Sequence, residues 1–226
     1  MNNLVLLHGA LGAAAQLNEL KQQLEHKCTV FVYEFPGHGS RVGEKVKFDL
    51  SELCNDFHQW LNVNFTQQVD IFGYSMGGYA SLYLAIHHSY LFRHIVTLGT
   101  KLDWNKESSV KEAAKLNPDT LLEKAPAYCE YLKSLHGDEW SNVLLKTSDL
   151  MLLLGEKPLL NTNNVASIRT KVTMMLGDSD KMVSREETLA IQQSISDSGF
   201  VSMVDTIHPI ERIDTAKLAQ QLLQLF

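Results

Sequence analysis

The apolar residues of this 226-residue chain follow two alternating patterns. Short runs, most of them rich in β-branched and aromatic residues, recur at Leu4–Leu7, Thr29–Tyr33, Val69–Phe72, His94–Leu98, Val172–Leu176 and Phe200–Asp205. Runs this short and this apolar predict strands buried in a parallel sheet. Between them the apolar positions fall three or four apart, the helical period. Ala14–Glu25 puts Leu17, Leu20 and Leu24 on one face. A helix capped by Asp49 or Ser51 and running to about Asn62 turns Leu53, Phe57, Trp60 and Leu61 inward. Further helices are predicted through Ala80, Leu82 and Leu84, over Ser184–Ser194, and over Asp214–Phe226. Strands alternating with helices predict an α/β protein: a roughly six-stranded, mostly parallel sheet with helices on both faces.

The alternation stops after Thr100. From 101 to 169 the pattern is helical throughout: Glu107–Leu116, Pro118–Leu135 and Asp138–Leu154. Pro126 should kink or split the second of these. Gly137 and Gly155 read as helix stops. The expected organisation is a core domain of residues 1–100 and 170–226, with residues 101–169 inserted as a helical cap or lid.

Composition narrows the partners. The formal charge is −6 and no basic run stands out, which argues against nucleic acid and anionic membranes. The three cysteines, Cys28, Cys54 and Cys129, are dispersed without disulfide or metal spacing, as suits a reducing cytosol. Met1-Asn2-Asn3 lacks a basic start, and no apolar run reaches transmembrane length. The expectation is a cytoplasmic protein with its native N-terminus, a small-molecule substrate, and neither metal nor cofactor. His87-His88 ends a helix, where imidazoles suit the dipole, and is not read as a metal site.

The chemistry centres on Val69–Leu84, VDIFGYSMGGYASLYL. A strand turns sharply through Gly73-Tyr74-Ser75-Met76-Gly77 into a helix, the arrangement of a nucleophile elbow. Ser75 must adopt a strained, positive-φ conformation to lift its hydroxyl out of the turn. Gly73 and Gly77 avoid the collision that a Cβ would meet there. Catalytic groups in open α/β sheets gather at the carboxyl ends of strands. That rule selects Ser75, Asp178 or Asp180, and His208. A serine needs a base to take its proton, and an imidazole held by a buried carboxylate supplies one. These residues alone leave the choice of carboxylate open.

LLHGALG, EFPGHGSR, GYSMGGYASL, LGDSDKMVS and the late IHP together resemble the α/β-hydrolase superfamily, over nearly the whole chain. The resemblance implies the α/β-hydrolase fold without its two extra N-terminal strands. It implies Ser75 as nucleophile and His208 as base, in the family's chain order of serine, acid, histidine. Relatives carry the acid in a Gly-x-x-Asp-x-x-Val pattern, which here is Gly177–Val183 and points to Asp180, while some relatives keep it after the fourth strand, where Asp103 stands. The oxyanion hole it implies is the backbone N–H of Met76 with that of Ala10, or else Leu11. His8 and His38 are expected to brace their loops. Residues 101–169 correspond to the family's cap, with Trp104, Tyr128, Tyr131, Trp140, Met151 and Leu152 able to line a site. Tyr74, Leu11 and Trp104 are the candidate substrate contacts.

The reaction class that follows is serine hydrolysis of a small ester, thioester or amide. The same fold also hosts carbon–carbon hydrolases and lyases. Among these the menaquinone-pathway synthase shares an HGFLG-like opening and a GYSMGG elbow, but normally has arginine where this chain has Tyr79. A non-catalytic small-molecule receptor is the alternative from another class, separated by turnover against stoichiometric binding.

Overall fold

A computed structural model describes residues 2–226. Six strands, β1 (Asn3–Leu7), β2 (Thr29–Tyr33), β3 (Val69–Tyr74), β4 (Phe92–Leu98), β5 (Lys171–Gly177) and β6 (Ser198–Met203), form one sheet in the order β2-β1-β3-β4-β5-β6. Every pairing is parallel. The side-chain period of two sorts the strand residues between two cores. Val5, Leu7, Ile71, Ile95, Val172 and Met174 face one side; Leu4, Leu6, Phe72, Val96, Leu98 and Met175 face the other. Both sets are buried, so the strands read as continuous apolar runs rather than alternating ones.

The helices cover these faces by their own apolar stripes. Helix α1 (Asn18–Leu24) follows a single 3₁₀ turn at Ala14–Leu17, so the predicted Ala14–Glu25 helix is tighter at its start. Helix α2 (Leu50–Asn64) is capped by Asp49, whose side chain accepts the Ser51 N–H. Helix α3 (Met76–His88) is buried along most of its length against β3 and β4. Between β4 and β5 lie α4 (Lys106–Ala113), α5 (Pro118–Lys124), α6 (Pro126–His136), α7 (Trp140–Glu156) and the short α8 (Thr162–Val165). Helices α9 (Arg185–Gln192) and α10 (Thr215–Leu225) complete the chain. Leucines of α1 and α10 pack on one face; α2, α3 and Ile191 of α9 pack on the other.

Several boundaries differ from the sequence pattern for local reasons. β4 starts at Phe92 and β6 at Ser198 because each finds a partner earlier than its apolar run begins: Val69 pairs Phe92 and Val172 pairs Ser198. β6 ends at Met203, where the chain turns at Asp205, in the left-handed region at φ 53°. Pro126 splits the second insertion helix into α5 and α6, standing at the first position of α6, where its missing N–H is harmless. Gly155 is no helix stop. It lies inside α7, where a Cβ would come within 1.9 Å of Ser109 Oγ, so it lets α4 and α7 pack closely. No helix among the described residues is long and apolar enough to cross a membrane.

Candidate active site

The carboxyl ends of β1, β3, β4 and β5 converge on one cavity of about 460 Å³. Ser75 stands at the β3–α3 junction with φ 50° and ψ −112°, a conformation that costs energy for any residue with a side chain. Three things hold it there. Its N–H donates to Leu98 O at 2.8 Å, continuing the ladder; its C=O accepts from Tyr79 N–H at 3.1 Å and from the Thr100 hydroxyl at 3.2 Å. The glycines around it are required by closeness. A Cβ at Gly73 would lie 2.6 Å from the backbone of Gly78, and one at Gly77 would lie 2.6 Å from Leu7 Cβ. The expected strained turn is therefore present at Ser75, and its hydroxyl faces the cavity.

His208, in the loop after β6, brings its Nε2 to 3.4 Å from Ser75 Oγ. Its Nδ1–H donates to Asp180 Oδ2 at 2.7 Å. Asp180 sits in the loop after β5, and its other oxygen accepts the N–H groups of Met182 at 2.8 Å and Val183 at 3.0 Å. Burial alone would raise the Asp180 carboxyl. The hydrogen bond and charge of His208, with the two backbone donors, outweigh it and hold the group below its ordinary value. An ionised carboxylate only accepts, so it fixes the proton on Nδ1 and leaves Nε2 as an acceptor facing the serine hydroxyl. The Tyr74 hydroxyl donates to His208 O at 2.9 Å, tying the histidine loop to the strand that carries Ser75.

Of the candidate carboxylates, only Asp180 meets His208. Asp178 is exposed and accepts from its neighbour Ser179 Oγ. Asp103 is also exposed and accepts from Asn105. Among the described residues, the backbone N–H groups of Ala10, Leu11 and Met76 have no acceptor. They flank Ser75 at the end of β1 and the start of α3. Leu11 has φ 61°, so this loop too is held against its preference.

A chain of buried imidazoles supports that loop. His8 donates from Nδ1 to Gly9 O at 2.8 Å and accepts Phe35 N–H at Nε2. Burial lowers its pKa to about 4, so it is neutral near pH 7. His38 stacks on Phe48, and burial holds it well below its ordinary value. Both brace loops, as expected from sequence. His136, at the end of α6, was not foreseen. It donates from Nε2 to Leu11 O at 2.9 Å and accepts Gly39 N–H at 3.0 Å, so it joins the insertion to two core loops. Its partners lie 97 and 125 positions away, and no local pattern marks such a contact.

The cavity is lined by Tyr74, Leu11 and Trp104, the three predicted contacts, and by Tyr128, Tyr131 and Met151 from the insertion. Trp140 instead packs in the insertion's own core with Cys129 and Leu132, and Leu152 faces outward. Tyr79 also lines the cavity and anchors the chain after α7, its hydroxyl accepting the N–H groups of Leu159 and Leu160. Lys101, Glu112 and Met182 line it as well and were not singled out from sequence. Lys101 lies three residues past β4, where the strand-end rule would have pointed. Among the described residues no group of histidines, cysteines and carboxylates is arranged to hold a metal ion.

A hydroxyl, an imidazole acceptor, an ionised carboxylate and unengaged N–H groups at one cavity have the geometry that acyl transfer requires. Comparison with known proteins agrees on the fold that builds it. The structure superposes on an enol-lactonase from Burkholderia xenovorans LB400 with a TM-score of 0.79 at 16% identity, covering 99% of this chain and 90% of that one. NosK from Streptomyces actuosus gives 0.82 at 16% identity, covering 99% and 96%. A thermophilic esterase from Thermogutta terrifontis, solved with malate bound, gives 0.76 at 17% identity, covering 100% and 89%. No curated protein matches the sequence. The family described as alpha/beta hydrolase fold matches residues 2–130, more than half of the chain and the part that carries the elbow and both core loops. With this match and that architecture, the chain belongs to the alpha/beta hydrolase fold family.

Proposed function

We propose that this protein is a serine hydrolase that cleaves a small-molecule carboxylic ester, thioester or amide. The observation that carries the reading is the aligned relay from Ser75 Oγ through His208 to Asp180 beside free backbone donors. In the first step His208 Nε2 takes the serine proton as Oγ bonds to the substrate carbonyl carbon. The 3.4 Å separation shortens in such sites when substrate binds. The carbonyl oxygen gains the negative charge and is met by the N–H groups of Met76 and Ala10. Asp180 stabilises the imidazolium without taking its proton. The tetrahedral adduct collapses, the bond to the leaving group breaks, and the His208 Nε2 proton passes to that group. Water then enters, gives a proton to His208, and its oxygen bonds to the acyl carbon. Release of Ser75 returns the proton to Oγ and frees the acid.

Residues 101–169 serve in this reading as a cap, which is supported by Trp104, Tyr128 and Met151 lining the same cavity as Ser75. The names of two structural neighbours, an enol-lactonase and an esterase, match the bond class proposed. The cytoplasm suits the three dispersed, buried free thiols. The test is fluorophosphonate labelling with peptide mapping, together with a panel of p-nitrophenyl esters. Label on Ser75 with turnover supports the reading. Absence of both, in folded protein, would overturn it and leave a binding protein built on this fold.

A further inference from the structure

Lys101 is the one lysine or arginine buried among the described residues, 8% exposed, and it lines the cavity. Thr100 beside it donates to Ser75 O, which ties this stretch to the elbow. The Lys101 ammonium forms no hydrogen bond with the described residues. The carboxylate it faces, Glu187, is 3.7 Å away, and its charge lies 5.6 Å from the Trp104 ring centre. Glu187 has no acceptor capacity to spare for it. One of its oxygens accepts the N–H groups of Leu102 and Asp103, and the other accepts the N–H and hydroxyl of Ser184. Glu187 therefore balances the charge and makes burial tolerable, while the three ammonium protons remain for an acceptor in the cavity. The ammonium opens on the cavity while the rest of the side chain is buried, so its charge is partly desolvated and an acceptor delivered by a ligand gains more here than at a surface lysine.

The other charged groups of the wall do not compete. Lys115 is exposed and paired with Glu112 at 2.6 Å, and that pair is neutral as a unit. Arg212 and Glu211 are exposed on the histidine loop. Around Lys101 and Ser75 the cavity wall is otherwise mainly apolar, with Leu50, Leu150, Met151, Leu154 and Met182. An aliphatic spacer suits that wall, and an anion suits its one buried cation. We propose that Lys101 is an anion subsite and that the substrate is an ester bearing a second, free carboxylate separated from the scissile carbonyl by an aliphatic chain. This deepens the hydrolase reading and rests on it.

The experiment compares kcat/KM for paired p-nitrophenyl esters of matched length, the ω-carboxylate hemisuccinate and hemiadipate against neutral pentanoate and heptanoate. Wild type should prefer the anionic member of at least one pair by about tenfold to a hundredfold, the range for a hydrogen bond to a charged group. Lys101→Met should abolish that preference, mainly through KM, and Lys101→Arg should keep its direction. A wild-type preference for the neutral ester in both pairs would overturn the proposal. So would an undiminished anionic preference in Lys101→Met. If no ester turns over and Ser75 takes no fluorophosphonate label, the hydrolase reading fails on its own. Calorimetric binding of adipate to wild type and Lys101→Met then decides the subsite, with tighter binding to wild type required.

Discussion

Replacing Asp180 by asparagine separates the orienting role of the carboxylate from its place in the loop. All three partners of Asp180 are donors: His208 Nδ1–H, Met182 N–H and Val183 N–H. A carboxylate satisfies them all, but an amide has one accepting oxygen and one NH₂. If the oxygen stays on Met182 and Val183, the NH₂ faces His208 Nδ1. The imidazole must then carry its proton on Nε2, which cannot accept from Ser75. The opposite orientation leaves two backbone donors facing an NH₂, at about 1–3 kcal/mol for each unsatisfied group, so the first orientation prevails. Loss of the accepting tautomer costs about four orders of magnitude in kcat, the size known for the same substitution in a serine-protease triad. That corresponds to about 5 kcal/mol of transition-state stabilisation. Asp178→Asn, altering an exposed turn residue, should change kcat by about tenfold at most. The assay is ester turnover by purified variants whose melting curves show them folded. The low-field NMR resonance of His208 Nδ1–H should be lost only in Asp180→Asn. Turnover above about a tenth of wild type in Asp180→Asn, or a larger loss in Asp178→Asn, would refute the reasoning.

Ser75→Ala should abolish fluorophosphonate labelling and reduce turnover to the level that the oxyanion donors alone support; wild-type turnover in this variant would end the serine mechanism. The buried histidines predict acid lability. His8 has an ordinary value of 6.5 when unfolded and about 4 when folded, so the unfolded chain binds more protons between those limits. Stability present above pH 6.5 is lost as pH falls towards 4, by about 2 kcal/mol between pH 7 and 5 from His8 alone, and His38 acts in the same direction. A urea midpoint that does not change between pH 7 and pH 5 would contradict this. His136→Ala leaves Leu11 O and Gly39 N–H without their partner and should destabilise by about 1–3 kcal/mol, with a lower kcat because the Leu11 loop carries the N–H donors; unchanged melting and kcat would refute it. Gly155→Ala must push α4 from α7, where Asn105 O lies 2.8 Å from the new Cβ, and should cost about 1–3 kcal/mol in thermal unfolding with the elbow intact.

The fold was legible where burial dictated the pattern. The inner strands β1, β3, β4 and β5 lie between helix layers and are buried almost throughout, and the alternation of apolar runs with helical stripes predicted the parallel sense of the sheet. The boundaries of β4 and β6 were not legible. They depend on which neighbour a residue finds, and Ser198 and Gly199 carry no strand signal of their own. Gly155 misled for a related reason. A glycine that ends a helix and one that admits a neighbouring helix look alike until Ser109, far off in the chain, is placed against it.

Within the site, legibility followed the range of the forces involved. The strain at Ser75 is local: it demands Gly73 and Gly77 within two residues, and so it writes a motif. Asp180 against Asp178 was open from the residues because both lie in the same loop, and the deciding contacts run to His208, 28 positions on. Lys101 stands at the far end of this scale. Its position past β4 is one the strand-end rule covers, but its significance lies in the donors it leaves unused and in Glu187 being occupied by other partners, which only the assembled cavity shows. Reaction chemistry must hold atoms in a costly conformation, which short-range sequence has to permit. Substrate choice needs only that a cavity wall present the right group, and any element reaching the wall can supply it. It follows that this family's reaction machinery is read from motifs, whereas the ligand has to be read from unfilled hydrogen-bonding capacity in the assembled cavity.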